Sequence, residues 1–397
     1  MKCCEGYDTI QGCGFPQKNA KRRTDRMSLH KEETECVTVP DRNTAKKMLA
    51  WYRKNHRELP WRRDRDPYHI WISEIMLQQT RVAAVIGYYT RFMTELPDIP
   101  ALASVEEERL LKLWEGLGYY NRARNLKKAA AEVMDRFQGR FPETYPEILG
   151  LPGIGAYTAG AIASICYDEP TPAVDGNVLR VYTRLTGDAS CVDLETTKKD
   201  IRERLTAVYK EALPKERGVL TQCWMELGAT VCVPNGTPLC GACPLKETCV
   251  AFRTDRTGEL PVRGEKKRRR VEERTVFLFL CDGKVALHKR PESGLLAGLW
   301  EFPNVMGHLT LAEAMEQAER WGLQPSMPRM EVPYTHIFSH VEWHMRAYMI
   351  DCGHMADDLN KVGGIKWFLR KELEETAAVP SAFQPFRNLL KSGEEHS

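Results

Sequence analysis

The sequence lacks any run of about twenty apolar residues, and we therefore expect no membrane-spanning helix. It also lacks an apolar signal core near its first residue, which favours a cytoplasmic location over secretion. A large excess of one charge is missing too, because 57 basic and 54 acidic residues leave a net charge of +3. Any basic surface must therefore come from local clustering. In a protein that is not secreted, 13 cysteines indicate metal ligands or reduced thiols rather than disulfides.

The length of 397 residues suits two or three domains. The first residues are polar and show neither helical nor strand periodicity, which predicts a disordered extension. Farther along the chain, a run of lysines and arginines indicates a basic linker. The region before this linker is predicted to be helical. The region after it is predicted to be α/β, with a hairpin signal at Asp282-Gly283. The predicted segments are an extension at 1–43, a helical region at 44–252, a linker at 253–273, an α/β domain at 274–391 and a tail at 392–397.

A two-glycine hairpin at 151–155, LPGIG, connects a short predicted helix at 144–150 with a helix of small residues at 156–166. Gly153 and Gly155 permit positive φ and close approach of a ligand, and the free N–H groups form a site suited to phosphate. About twenty residues later, Asp175 stands in a turn before another predicted helix. Asp175 alone is equally typical of a helix N-cap. Together, the two features indicate a DNA-binding helix-hairpin-helix with an acid beside it.

Residues 69–86, HIWISEIMLQQTRVAAVI, predict a buried helix because the apolar side chains of its first half leave no polar face. Glu74 stands among them. Burial of an isolated carboxylate is costly and raises its pKa. Glu74 is therefore either paired with a distant arginine or held neutral and able to donate a proton, and the second interpretation fits better.

Residues 118–125, GYYNRARN, interleave two tyrosines with two arginines. Aromatic rings stack on bases and cations meet phosphates, so this segment is typical of a nucleic-acid contact. The alternative is a pair of core tyrosines, Tyr119 and Tyr120, beside a solvated helix start that carries Arg122 and Arg124.

Four cysteines follow the pattern C-x7-C-x2-C-x5-C, namely Cys232, Cys240, Cys243 and Cys249. Structural zinc sites usually combine two C-x2-C pairs, and this pattern contains one. Four thiolates on a compact, unevenly spaced loop favour an iron–sulfur cluster, with zinc as the alternative.

These segments resemble the MutY adenine DNA glycosylases of the helix-hairpin-helix superfamily. The similarity rests on SEIMLQQT, GLGYYNRARN, LPGIGAYTAGAI, VDGNVLR, the cysteine loop and PYTHIFSH, and it covers about 44–391. It implies an all-α helix-hairpin-helix glycosylase core with an iron–sulfur cluster loop, plus a C-terminal α/β Nudix-like domain that recognises 8-oxoguanine. Within the core it implies a six-helix barrel at about 69–180 and a cluster-bearing domain from 44–68 and 181–252. It further implies one 4Fe–4S cluster and a monomer that acts on duplex DNA.

The resemblance implies removal of adenine mispaired with 8-oxoguanine, or with guanine, by hydrolysis of its N-glycosidic bond. It assigns Glu74 as the acid that protonates adenine and Asp175 as the charged carboxylate facing an oxocarbenium-like sugar. Asn177 would assist, and Tyr157 would stand beside Asp175. The remaining implied DNA contacts are Arg57, Trp61 and Leu77 near the adenine pocket, Gln79 and Tyr119 as wedges in the base stack, and Phe338, Ser339 and His340 in the loop that inspects 8-oxoguanine.

Two departures from the family pattern stand out. The first cysteine gap is seven residues, where the family usually has six. The Nudix box is broken, since residues 315–322, MEQAERWG, do not match the R-E-x-x-E-E-x-G pattern that supplies the full carboxylate cluster, and we expect no magnesium-dependent hydrolysis there.

Three other functions compete with adenine removal. An endonuclease III-like glycosylase and lyase needs a lysine where Tyr157 stands, which counts against it. A non-catalytic DNA-binding repair scaffold is disfavoured by the presence of both Glu74 and Asp175. A nucleotide-pool hydrolase is disfavoured by the broken Nudix box.

Overall fold

The computed structural model describes residues 40–265, 268–326, 328, 330–353 and 365–392. The predicted extension up to residue 39, Lys266 and Lys267 of the basic run, and the tail from residue 393 lie outside the described residues. Within them, no helix has the length and apolar character needed to cross a membrane.

The helical region contains twelve α-helices within the described residues. They are α1 (Arg42–Asn55), α2 (Pro67–Leu77), α3 (Val82–Glu95), α4 (Ile99–Ser104), α5 (Glu107–Leu113), α6 (Asn121–Phe137), α7 (Tyr145–Leu149), α8 (Ala156–Tyr167), α9 (Gly176–Thr186), α10 (Glu195–Glu211), α11 (Arg217–Thr230) and α12 (Val250–Arg253). Aspartate side chains cap several of them, including Asp66 before α2 and Asp175 before α9.

The helices pack around two hydrophobic cores. The first core is built mainly from residues 59–173 and contains the fully buried indoles of Trp71 and Trp114. The second combines α1 with residues 174–245 and contains Trp224. Because α8 packs in the first core and α9 in the second, the segment between them lies where the two cores meet. Asp175 therefore lies at the buried junction between the two cores, beside a cleft.

The predicted helix over 69–86 is wrong in its second half. The helix ends at Leu77, and a new one, α3, begins at Val82. Gln79 adopts a left-handed conformation with φ of 59°, which an α-helix cannot accommodate. The Arg122 guanidinium stabilises the break, since it donates to the carbonyls of Ile75 and Gln78 at 2.6 and 2.8 Å.

The C-terminal region forms a mixed sheet flanked by helices, which confirms the predicted α/β class. Its seven strands within the described residues have the order β3-β2-β1-β6-β5, with β4 beside β1 and β7 beside β2. The elements are β1 (Arg270–Cys281), β2 (Lys284–Lys289), β3 (Trp300–Glu301), β4 (Asn304–Met306), α13 (Leu311–Arg320), β5 (Met330–Ile337), β6 (Val341–Asp351), β7 (Ile365–Leu369), α14 (Arg370–Glu375) and α15 (Gln384–Ser392).

Strands β1 and β6 run parallel at the centre, whereas β1 and β2 form the predicted antiparallel hairpin. Asp282 and Gly283 both have positive φ, 46° and 73°, as a type I′ turn requires. Phe277 and Phe279 pack on α13 on one face, and the opposite face packs on Phe383 and Phe386 near the C-terminus. The broken Nudix box falls on α13 and the turn after it.

Candidate active site and nucleic-acid interface

A cleft of about 680 Å³ opens where the two helical cores meet. Its walls come from α2, α8, α9 and α11 and from the short 3₁₀ turn Pro60–Arg62. The cleft brings together nine of the residues predicted from the sequence: Arg57, Trp61, Glu74, Leu77, Gln79, Gly155, Tyr157, Asp175 and Asn177.

Glu74 is buried on the wall of this cleft, with 5% of its surface exposed. The Tyr157 hydroxyl donates a hydrogen bond of 2.5 Å to its carboxyl oxygen. Burial raises the pKa of Glu74 to about 7, and the charge of Asp175 also raises it, while Tyr157 and Arg62 lower it. At neutral pH, a large fraction of Glu74 therefore carries a proton that it can donate.

Asp175 is buried as well, but more groups support its charge. As the N-cap of α9 it accepts hydrogen bonds from Asn177 N at 2.9 Å, Val178 N at 2.8 Å and Asn177 Nδ2 at 2.6 Å. Burial raises its pKa above the usual value, and these donors and Arg180 offset only part of that rise. The helix N-terminus also favours a negative charge. The carboxylate of Asp175 is therefore better supported as an anion than that of Glu74, which accepts one hydrogen bond.

Asn177 is held in place by Arg180, a residue that sequence reasoning did not select. Arg180 Nη2 donates to Asn177 Oδ1 at 2.8 Å and to the Gly228 carbonyl at 2.7 Å. Its Nε donates to the carbonyl of Cys232 at 2.6 Å. These bonds leave the Asn177 amide N–H groups facing Asp175 and connect the cleft with the start of the cysteine loop.

Glu226 is a second residue that sequence reasoning missed. Its fully buried carboxylate accepts hydrogen bonds from Arg57 Nε at 2.8 Å and Nη2 at 2.9 Å, and from Arg62 Nη2 at 2.8 Å. Burial alone would raise its pKa, but these bonds outweigh burial and lower the pKa to about 2. One glutamate in the segment QCWMELG of α11 carries no sequence signal for this role, because its partners lie more than 160 residues away.

A second cavity, of about 820 Å³, lies between the Tyr119 loop and the C-terminal domain. Phe338, Ser339 and His340 line it, as do Tyr119 and Gly153. Tyr119 is half exposed, and its hydroxyl shares a hydrogen bond of 2.6 Å with Ser339 Oγ. The structure thus brings together the predicted DNA wedge, the hairpin and the loop predicted to read 8-oxoguanine.

The prediction that the arginines of residues 118–125 contact phosphates is wrong for Arg122. Its guanidinium is directed inward and donates to five carbonyls, those of Ile75, Met76, Gln78, Leu117 and Gly118. Burial lowers the pKa of Arg122 to about 10. Arg124 is likewise bound to Glu107 and to the Ala297 carbonyl. Of the two tyrosines in the segment, Tyr120 is buried and Tyr119 is half exposed.

The two hairpin glycines serve different purposes. Gly153 has a φ of +75°, and a Cβ there would lie 2.5 Å from Asn125 Cβ, so the turn requires glycine. Gly155 has a φ of −93° and forms the N-cap of α8 without a side-chain cap bond. A positive φ therefore does not explain why glycine occupies this position. The uncapped start of α8 presents backbone N–H groups and the positive end of the helix dipole.

The four predicted ligand cysteines line one small cavity of about 30 Å³. Their thiols are free of disulfides, and Arg184 Nη1 lies 3.3 Å from Cys232 Sγ. In the described part of the chain, no three or more His, Cys, Asp or Glu side chains are grouped as ligands of a metal ion.

Two family models match separate parts of the chain. The model described as HhH-GPD superfamily base excision DNA repair protein matches residues 72–210, and that of the NUDIX domain matches 275–389. The first match contains Glu74, Tyr157 and Asp175, and the second contains Ser339. The fold and the site therefore define a helix-hairpin-helix base excision DNA repair protein with a Nudix-like second domain.

Relatives that align with most of this chain identify the family within this class of DNA repair proteins. The adenine DNA glycosylase of Rattus norvegicus is 32% identical to this chain over an alignment of 399 residues, gaps included. The alignment covers 86% of this chain and 76% of the relative. Its counterpart in Buchnera aphidicola subsp. Schizaphis graminum is 31% identical, covering 87% of this chain and 97% of the relative. A solved thermostable thymine-DNA glycosylase is 27% identical, with a TM-score of 0.49 over 54% of this chain and 97% of that one. The chain belongs to the adenine DNA glycosylase family.

Proposed function

We propose that this protein removes adenine from duplex DNA in base excision repair, and that it prefers adenine opposite 8-oxoguanine while also acting opposite guanine. The observation that carries this proposal is the pair of acids in one cleft. Glu74 is buried and has its pKa raised to about 7, and Asp175 is supported as an anion by three hydrogen bonds. Hydrolysis of an N-glycosidic bond needs one acid in each state.

The proposed reaction begins with the target nucleotide flipped out of the stack. Glu74 donates its proton to the adenine ring as the bond between C1′ and the base nitrogen breaks, so the electron pair leaves with adenine. Asp175 stabilises the positive charge that develops on the sugar. Water then adds to C1′ and gives up a proton to the Glu74 carboxylate. The products are free adenine and an abasic site.

The site favours this hydrolysis over a lyase reaction, which needs a lysine amine at the sugar. Tyr157 stands at the corresponding position and donates to Glu74. Lys198 lines the rim of the cleft, but its ammonium group is paired with Glu195 at 2.6 Å.

The proposal is tested by single-turnover release of adenine from duplexes in which adenine faces 8-oxoguanine, guanine or thymine. We expect release opposite 8-oxoguanine to be faster than opposite guanine, and release opposite thymine to be slow. Absence of release from all three duplexes would contradict the proposal and favour the non-catalytic scaffold.

The pH dependence of release should follow the protonation of Glu74. We expect kcat/KM to fall as the pH rises through about 7, because only the protonated acid can donate. Well above that pH the rate should drop about tenfold per pH unit. Tyr157→Phe removes a hydrogen bond that lowers the pKa of Glu74, so the falling limb should move to higher pH. A rate that stays level between about pH 6 and about pH 9 would contradict the role of Glu74.

Reading of 8-oxoguanine is assigned to the loop of Phe338, Ser339 and His340. The loop faces Tyr119 across the second cavity, and the Ser339 hydroxyl can both donate and accept a hydrogen bond. Replacing Ser339 and His340 by alanine should slow release opposite 8-oxoguanine about ten- to a hundredfold more than opposite guanine. Equal slowing on both duplexes would mean that the loop supplies general DNA affinity instead.

We also propose that the four cysteines hold one 4Fe–4S cluster. Four thiols around one cavity suit a cluster in which each iron takes one thiolate, and the Arg184 cation can offset its negative charge. The cluster would supply a fixed scaffold for the loop that packs against α9. Anaerobically purified protein should be brown and contain about four irons per chain. Stoichiometric zinc without iron would contradict this assignment.

A further inference from the structure

Glu115 lies just after α5, four residues before the predicted wedge Tyr119, and its carboxylate binds the C-terminal domain. One oxygen accepts hydrogen bonds from Val379 N at 2.9 Å and Arg387 Nη1 at 2.7 Å. The other oxygen accepts from Lys112 Nζ at 2.8 Å. Two of its three donors therefore come from the other domain.

Lys112 extends this connection. Besides binding Glu115, its ammonium group donates to the carbonyls of Ala377 at 2.9 Å and Leu373 at 3.3 Å. Arg387, only 4% exposed, also pairs with Glu374 at 3.0 Å. Removing the Glu115 charge would leave two poorly solvated cations without their shared anion. Glu115, Lys112, Arg387 and Glu374 form what we call the docking network.

An ion pair between Glu108 and Lys289 also joins the two domains, at 2.8 Å, but it differs in burial. Its side chains are 64% and 38% exposed, whereas those of Lys112 and Glu115 are 10% and 19% exposed. An exposed pair contributes little because water screens it. The docking network is therefore less screened by water than the pair of Glu108 and Lys289.

The segment after Glu115 leads directly to the wedge. Gly116, Gly118 and Tyr119 all have positive φ, and Leu117 N donates to the Trp114 carbonyl, so the loop is short and tightly turned. At its tip, Tyr119 reaches Ser339 of the C-terminal domain. The same loop thus contacts that domain at its base, through Glu115, and at its tip.

We propose that Glu115 is a positioning residue for lesion selectivity. It docks the C-terminal domain onto the base of the Tyr119 loop, so that Tyr119 and Ser339 meet the mispair in a fixed geometry. This role rests on the proposed reading of 8-oxoguanine by the Ser339 loop. Glu115 lines neither cavity, so it acts through the loop rather than on DNA.

The test compares Glu115→Gln with the matched control Glu108→Gln, which removes the exposed interdomain charge. Single-turnover release is measured opposite 8-oxoguanine and opposite guanine. Glu115→Gln should slow release opposite 8-oxoguanine about tenfold and release opposite guanine less than about twofold, since misplacement by a fraction of an ångström is costly only for the aligned contact. Glu108→Gln should match the wild type on both. A merely structural defect would lower both rates by the same factor.

A second variant and a double-mutant cycle complete the test. Arg387→Met breaks the network from the C-terminal side and should reproduce the selective loss while the helical region stays intact. Adding Glu115→Gln to Ser339→Ala should cost little further selectivity, because the two act as one unit. Additive losses in the double mutant, equal slowing on both duplexes, or an unchanged preference in Glu115→Gln would overturn the role of Glu115. The proposed reading of 8-oxoguanine would not be affected by these results. A wild-type enzyme without any preference for 8-oxoguanine would overturn the proposed lesion reading and this role together.

Discussion

Glu74→Gln is expected to slow adenine release by about 10²–10⁴-fold, and by more if Glu74 also handles the attacking water. Glutamine keeps the shape of the side chain but has no proton to give. The environment makes this acid suitable for its role, since burial raises its pKa to about 7 and places its proton near neutral pH. Single-turnover kinetics on a duplex with adenine opposite 8-oxoguanine measures the loss.

Binding provides the control for this variant. Glu74 lies inside the cleft, whereas Tyr119 and the lesion-reading loop line the second cavity, so Glu74→Gln should still bind the mispair with affinity close to that of the wild type. Lost binding would point to a folding defect. A variant that binds normally and releases adenine at near wild-type rates would exclude Glu74 as the acid.

Asp175→Asn should have the second largest effect, a loss of about 10²–10³-fold in the single-turnover rate. An amide is isosteric but neutral, so it cannot offset the positive charge that develops on the sugar. Its NH₂ group would also face some of the three N–H donors that now hold the carboxylate. Because the charge of Asp175 also raises the pKa of Glu74, its removal should move the falling pH limb to lower pH, opposite to the shift in Tyr157→Phe, so the loss is measured well below both limbs.

Asp66→Asn is the matched control, because Asp66 caps α2 as Asp175 caps α9. Its side chain accepts from Tyr68 N at 2.8 Å, outside the cleft. Asparagine is as good an N-cap as aspartate, so this variant should release adenine normally. If Asp175→Asn behaved like Asp66→Asn, Asp175 would be a structural cap and the charge on the sugar would have to be stabilised by another group.

The number of hydrogen bonds that each carboxylate accepts distinguishes the roles of Glu74 and Asp175 more clearly than burial does. Both are buried and both have raised pKa values, yet Glu74 accepts one hydrogen bond from Tyr157 while Asp175 accepts three at a helix N-terminus. The hydrogen bonds thus favour Glu74 as the acid that keeps the proton, because its charged form accepts fewer of them.

The sequence by itself determined the features that depend on nearby residues. The apolar face around Glu74 implied burial, the turn before α9 implied an N-cap at Asp175, and Asp282-Gly283 implied the hairpin. The uneven cysteine spacing suggested a shared site, and all four thiols line one cavity. Each of these depends on short-range periodicity or turn chemistry, which a single sequence carries.

Only the tertiary structure decided which distant groups pair. Glu226 binds Arg57 across 169 positions, and Glu115 binds Arg387 across 272. The end of α2 at Leu77 was missed for the same reason. The guanidinium that donates hydrogen bonds to the carbonyls of Ile75 and Gln78 belongs to Arg122, which lies on another helix. Such contacts leave no periodic trace in the chain. They form because packing brings buried charges and unsatisfied carbonyls together, and each must find a partner wherever the fold supplies one.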